Sequence, residues 1–208
     1  MNRLALFPLQ LVLFPNVPLP LHIFEERYRT MITRCIDEDR PFGVVYHRGE
    51  SIREVGCTAI IDRVIKRYDD GRLDIIAVGH ERFTIDSIDR SGLYLEADIR
   101  LIDDPPDDGN GALLERAVDA MLKYAYYAEL TLDRSALRAL TTNQLSYLIA
   151  GVDLLGMDTK QELLEIEPSD RRLELAVEAL DAVTNQLAAV AQVRKTLGDD
   201  VDLTSFTN

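Results

Sequence analysis

Cysteine, histidine and long apolar runs are scarce in this chain, and each shortage removes a class of function. Cys35 and Cys57 are the two cysteines. They form no C-x-x-C pair and sit among apolar residues, which predicts two small buried thiols in a reducing compartment. The three histidines, His22, His47 and His80, lie far apart, and no H-E-x-x-H motif occurs. No G-x-x-x-x-G-K-[ST] phosphate loop is present; the one Lys-Thr pair, Lys195-Thr196, follows Arg194 late in a helical stretch. A G-x-S-x-G elbow is missing too. Ser-His-Asp sites are assembled in space, so scattered histidines leave a hydrolase open, but no motif argues for one. No stretch approaches the ~20 apolar residues that span a bilayer. The opening MNRLALFPLQLVLF mimics a secretion signal, yet Pro8 and Gln10 interrupt it and no small-x-small cleavage site follows. A cytoplasmic protein without metal or cofactor is the expectation.

What the chain has in excess is acid, and the excess is uneven. The net charge is -13. Residues 1–102 hold 14 Lys+Arg against 16 Asp+Glu, and residues 103–208 hold 9 against 20. Two parts with different surfaces are expected, and a field of this sign repels phosphate backbones. The stretch DDPPDDGNG (Asp103–Gly111) cannot build a core, and it marks a linker between residues 1–102 and 112–208. This stretch and Asp199–Asp202 lack the ligand spacing of a calcium loop, so both read as solvated linker and tail.

The first part alternates like strands. GLYLEADIRLI (Gly92–Ile102) places Leu93, Leu95, Ala97, Ile99 and Leu101 on one face, as in a half-buried antiparallel strand. ERFTIDSIDR pairs with it through a turn at Asp89–Gly92, and RYDDGRL makes another hairpin around Asp70-Gly71. FGVVYH (Phe42–His47) is a short buried strand. In CTAIIDRVIKRY the alternation changes phase near Asp62-Arg63, which predicts a β-bulge. Half of the eight prolines fall before residue 21, so strands near Pro8, Pro15, Pro18 and Pro20 must be short, edge-like or bent. A helix is predicted from about Phe24 to Asp37, with Phe24, Tyr28, Met31, Ile32, Cys35 and Ile36 as its apolar stripe.

Residues after the linker read as helices. ALLERAVDAMLKYAYYAEL is one, and TTNQLSYLIAGVDLLG is a second, with threonine as N-cap and Gly156 near its end. DTKQELLEI is a third, capped by Asp158 with Gln161 three residues on. The last runs from about Ser169 to Leu197, with Leu173, Val177, Leu180, Val183, Leu187, Val190 and Leu197 as its stripe. KYAYYAEL (Lys123–Leu130) reads either as a docking surface or as helix packing. IKRYDDGR, with Arg63 just upstream of Lys66, Arg67, Tyr68 and Arg72, is the one basic cluster. It reads as a nucleic-acid patch or as the exposed face of a hairpin with interleaved aspartates.

The run LFPLQLVLFPNVPLPLHIFEERYRTM resembles the opening of the amino-terminal, substrate-binding LON domain of the Lon proteases. The matching positions include Pro8, Pro15, Pro20, Leu21, Ile23, Phe24, Glu25, Arg27 and Tyr28. The likeness continues at FGVV, at EVGCTAII with Gly56, and at DGRLDIIAVGHERFTI with Gly79. It covers about residues 4–102. The resemblance implies an α+β fold: a PUA-like β pseudo-barrel of about six strands with one helix, followed by an α-helical bundle. It also implies that the prolines and HIFEERYR are a fold signature, with Glu25, Arg27 and Tyr28 anchoring the helix on the barrel by packing and charge-assisted hydrogen bonds. Full-length Lon adds ATPase and Ser-Lys protease modules. This chain holds no nucleotide loop and has no room for those modules, so peptide-bond hydrolysis is not expected of it.

The function expected first is therefore non-enzymatic binding of exposed polypeptide segments or of a partner protein. The surface is expected on the barrel or in the cleft between barrel and helices, with Tyr46, His47, Arg48 and Tyr68 as candidate contacts. RNA binding is the alternative, because PUA-like barrels serve it elsewhere; the acidity counts against it. Oligomeric state and action beside a protease in trans stay open.

Overall fold

The computed structural model describes residues 2–103 and 111–197. Seven strands come first: β1 (Asn2–Leu9), β2 (Pro18–Ile23), β3 (Phe42–Arg48), β4 (Ser51–Ile52), β5 (Val55–Arg67), β6 (Leu73–Asp89) and β7 (Leu95–Leu101). They form one mostly antiparallel sheet in the order β1-β7-β6-β5-β3-β4, with β2 added on β6. Parallel pairing of β1 with β3, from Leu6↔Gly43 to Leu9↔Tyr46, closes it into a barrel. The resemblance implies about six strands; seven form, one of them the two-residue β4.

Local chemistry explains most of these elements. β5 and β6 slip register between Ile61 and Arg63, where the alternation changes phase, and again near Thr58 and Ile65. These irregularities let two long strands coil around the barrel. Pro18 and Pro20 sit on β2, which pairs with β6 alone, so their missing N–H groups cost the sheet nothing on the free edge. In the β5–β6 turn, Gly71 takes a positive φ of 84°, whereas Asp70 is absent from the positive-φ residues. β7 buries Ala97 and Ile99 as expected, but Leu101 at its end is exposed, and Leu93 lies exposed in the bend before the strand begins.

Two signature glycines are positions of close approach. A Cβ on Gly79 would lie 2.1 Å from the Phe14 carbonyl oxygen, and one on Gly56 would lie 2.6 Å from that of Val44 and 2.7 Å from the Phe83 ring. Helix α1 (Glu26–Asp37) buries Tyr28, Met31, Ile32 and Cys35 against the barrel core of Phe7, Phe42, Val44 and Ile75. It starts two residues later than the spacing predicts. Phe24 lies outside the helix and is 61 % exposed, because Glu25 is still in extended backbone.

Five helices follow: α2 (Gly111–Tyr127), α3 (Arg134–Arg138), α4 (Thr142–Ala150), α5 (Met157–Glu165) and α6 (Ser169–Leu197). Thr141 and Gln144 form the capping box of α4. That helix ends at Ala150, and Gly156 turns out to be the N-cap of α5, displacing Asp158 from that role. α3 has no counterpart in the sequence reading. On α6, Leu173, Val177 and Leu180 are fully buried, Val183 and Leu187 pack partly buried against the same core, and Val190 is exposed. Of the tyrosines in KYAYYAEL, Tyr124 packs inside and Tyr126 is exposed. The helices share a core into which Phe14 inserts from the proline-rich segment, 6.0 Å from the Tyr147 ring. The greater part of the acidic linker and the acidic tail lie outside the described residues.

Both cysteines are buried, and burial pushes the Cys35 thiol up to about 11. Native protein at pH 8 is therefore expected to resist Ellman's reagent at both positions, with two thiols reacting once denaturant is added. Rapid labelling of the native protein would contradict this packing.

Between β6 and β7, Asp89 accepts hydrogen bonds from the Ser91 hydroxyl (2.6 Å) and N–H (2.8 Å) and pairs with Arg3. The Ser91 donors, then Arg3, pull its carboxyl down to about 2. A depressed folded-state pKa stabilises above the unfolded value near 3.9 and is lost as pH falls toward 2. Asp89→Asn should thus lower the melting temperature at pH 7 and leave it nearly unchanged at pH 2.

Candidate functional site

An open groove of about 480 Å³ lies beside the seam that closes the barrel, along the end of β1 beyond its pairing with β7. Four separate segments line it. The end of β1 contributes Phe7, Pro8, Leu9 and Gln10, and the start of α1 contributes Glu25, Arg27 and Tyr28. His47, Gly49, Glu50 and Ile52 come from the β3–β4 hairpin, and Arg90 and Leu95 from the β6–β7 connection. The floor is built from within. The Tyr28 ring lies 4.2 Å from that of Phe7, with the Arg27 guanidinium 4.5 Å above it. Burial raises the Tyr28 phenol, with Arg27 opposing. Arg27 and Glu25 pair with each other at 2.8 Å and stay on the surface, so of the three predicted anchors only Tyr28 fixes the helix to the barrel. His47 Nδ1 is 3.1 Å from the Gly49 carbonyl oxygen. A carbonyl only accepts, so this nitrogen donates, and a neutral His47 ring keeps Nε2 as an acceptor.

The other candidate contacts do not gather here. Tyr46 is buried, with only 9 % of its surface exposed. Arg48 reaches across to the helices and pairs with Asp158 of α5 at 3.0 Å. Tyr68 stands at the far end of β5, at the tip of the β5–β6 hairpin. Its hydroxyl donates to Asp74 Oδ2 (2.8 Å), and His22 Nδ1 donates to the other oxygen of that carboxylate (2.5 Å). Those two donors, His22 first, hold the Asp74 carboxyl below its ordinary value, and the bond to Asp74 raises the Tyr68 phenol. Lys66 and Arg72 lie 4.4 and 4.8 Å from the centre of the Tyr68 ring, and Arg72 also pairs with Asp70. The basic cluster thus spends cations on its own tyrosine and aspartate, as an ordinary hairpin face does. Exposed Phe24 stacks on His22, at 5.9 Å.

Among the described residues, the hydrogen-bond and ion-pair partners of the three histidines are Asp74, the Gly49 carbonyl and Glu81, none of them a hydroxyl or thiol. Among the described residues no cluster of His, Cys, Asp or Glu has the makings of a metal site. No helix among them is long and apolar enough to cross a membrane.

A third constellation joins the two halves. Arg82, on β6, is fully buried and donates through Nη1 to the carbonyl oxygens of Leu164 (2.7 Å) and Ile166 (2.8 Å) at the end of α5. Arg172 of α6, also fully buried, donates to Ile166 O (2.5 Å) and to Ser146 Oγ (2.9 Å), with its guanidinium 4.3 Å from the Tyr147 ring. Gln161 donates to Val55 O (3.0 Å), and Arg53 pairs with Glu165 (2.8 Å). This junction holds the barrel against α5.

A barrel closed by one parallel pairing, carrying one helix and followed by a helical bundle, defines an α+β class. The chain belongs to the family of the ATP-dependent protease La (LON) substrate-binding domain, whose model matches residues 3–182. It is 29 % identical over 188 residues to Lon protease 2 of Syntrophobacter fumaroxidans, a match covering 83 % of this chain and 23 % of that one. With Lon protease 1 of Hydrogenovibrio crunogenus the identity is 23 % over 208 residues, covering 93 % of this chain and 25 % of the relative. The chain thus spans about a quarter of the length of the curated relatives it matches. Two solved structures share the fold. The Lon N-terminal domain protein from Xanthomonas campestris superposes with a TM-score of 0.66 at 22 % identity, covering 84 % of this chain and 96 % of that one. The N-terminal domain of Mycobacterium avium complex Lon protease gives 0.71 at 16 %, covering 86 % and 98 %.

Proposed function

We propose that this chain is a non-catalytic module that binds exposed polypeptide segments and serves protein quality control in the cytoplasm. The barrel of residues 1–102 carries the surface, and the helical part of residues 112–208, joined through the acidic segment 103–111, braces it. The observation that carries the reading is the seam groove. It gathers the signature residues Pro8, Glu25, Arg27 and Tyr28 around His47, in an open channel with both apolar and polar walls. Membership in a substrate-binding family supports it. Of the four candidate contacts, His47 is the one we retain for this site.

The test is a fluorescence-anisotropy titration of the whole chain with labelled, carboxymethylated α-lactalbumin, which stays unfolded. A labelled RNA oligomer runs in parallel at low and moderate salt. Saturable polypeptide binding without an RNA signal is expected. RNA binding that weakens steeply with salt, with no response to the polypeptide, would replace this reading with the nucleic-acid one.

A further inference from the structure

We infer that the seam groove takes its polypeptide as an added β-strand, an inference that rests on the polypeptide-binding reading. At Leu6, β1 is paired on both edges, with Gly43 of β3 on one side and Leu95 of β7 on the other. From Phe7 to Leu9 only the β3 side is paired, because β7 begins at Leu95. The chain before Leu95 turns away through residues 90–94. The lane that a longer β7 would fill is open, and the groove runs along it, with Leu95 in its wall.

An unpaired strand edge beside an open channel is a template for an extended chain, since main-chain groups supply the affinity and alternate side chains meet the walls. Main-chain recognition tolerates many sequences, which suits a partner defined by being unfolded. Pro8 sits within the unpaired stretch. A proline is tolerated in a strand where its nitrogen faces an unpaired edge, so at Pro8 the lane offers a carbonyl acceptor to an incoming N–H. Tyr28 and Leu95 offer apolar contact on either side of it. Arg90 and Glu50, whose side chains have no hydrogen-bond or ion-pair partner among the described residues, supply charges of both signs at the rim.

Strand addition has a signature that pocket-filling by side chains lacks: it depends on one alternating set of peptide N–H groups. The test is competition against labelled carboxymethylated α-lactalbumin by a short neutral Thr/Val peptide and two backbone N-methylated versions, one per alternating frame. The unmodified peptide should compete. Methylation in one frame should weaken it about fivefold and in the other frame leave it unchanged, the size expected for losing the one hydrogen bond to the Pro8 carbonyl. If α-lactalbumin binds but the peptide fails to compete, or both frames behave alike, strand addition is wrong and polypeptide binding stands. If α-lactalbumin itself does not bind, both fall.

Discussion

Gly79→Ala is expected to cost at least about 3 kcal/mol, lowering the melting temperature by roughly 6–12 °C or preventing accumulation of folded protein. The added methyl would sit 2.1 Å from the Phe14 carbonyl oxygen, 2.9 Å from its carbon and 3.2 Å from Cys57 Sγ. A clash with backbone cannot be relieved by turning a rotamer. The backbone on both sides is also pinned, because Gly79 N–H donates to Val17 O (3.0 Å) and Asn16 N–H donates to Gly79 O (2.8 Å). Moving the Phe14 segment aside would withdraw the Phe14 ring from the helical core and break those bonds. Gly111→Ala is the control: its Cβ would meet nothing within 4 Å, so a change within about 0.5 kcal/mol is expected. Equal stability of the two variants in urea melts would show that the close approach at Gly79 carries no energetic weight.

Arg82→Met should destabilise the protein by about 1–3 kcal/mol, the usual cost of leaving a buried carbonyl without its donor. The methionine fills similar volume, so the loss comes from the Leu164 carbonyl oxygen, which loses this donor, and from the second bond to Ile166 O, which keeps Arg172. They lie at the C-terminal end of α5, where the helix leaves its last carbonyls unpaired and its dipole favours a cation. Lysine is a poor substitute there, because its ammonium lacks the planar fork of a guanidinium. The effect should be directional as well as large: amide exchange in α5 should accelerate more than exchange in β1 or β7. Uniform acceleration would mean that Arg82 supports the whole fold and does not act chiefly on α5.

How much of this was legible from the sequence depended on whether a signal was local. The β5 bulge announces itself as a phase change at Asp62-Arg63, the α4 cap as Thr141 with Gln144, and the extent of α6 as an unbroken period; all are properties of neighbouring residues. Arg82 could not be read that way. It sits in a strand where its neighbours alternate normally, and its partners are 82 and 84 residues further on. α3, at five residues, is too short to show a helical period. Phe24 has the spacing of a helix stripe, yet the backbone of Glu25 is still extended, so the ring faces outward. The groove combines four segments that no single motif spans. Only His47 among the candidate contacts fell in it, since being near a strand end says nothing about which way a side chain faces.

The most direct measurement places a photo-crosslinking amino acid at position 10, on the rim of the seam groove, or at position 126, exposed on α2. Each protein is irradiated with carboxymethylated α-lactalbumin. Adducts from position 10 and none from position 126 are the predicted result. Saturable binding that yields adducts from position 126 alone would move the binding surface to the helical half and contradict the account.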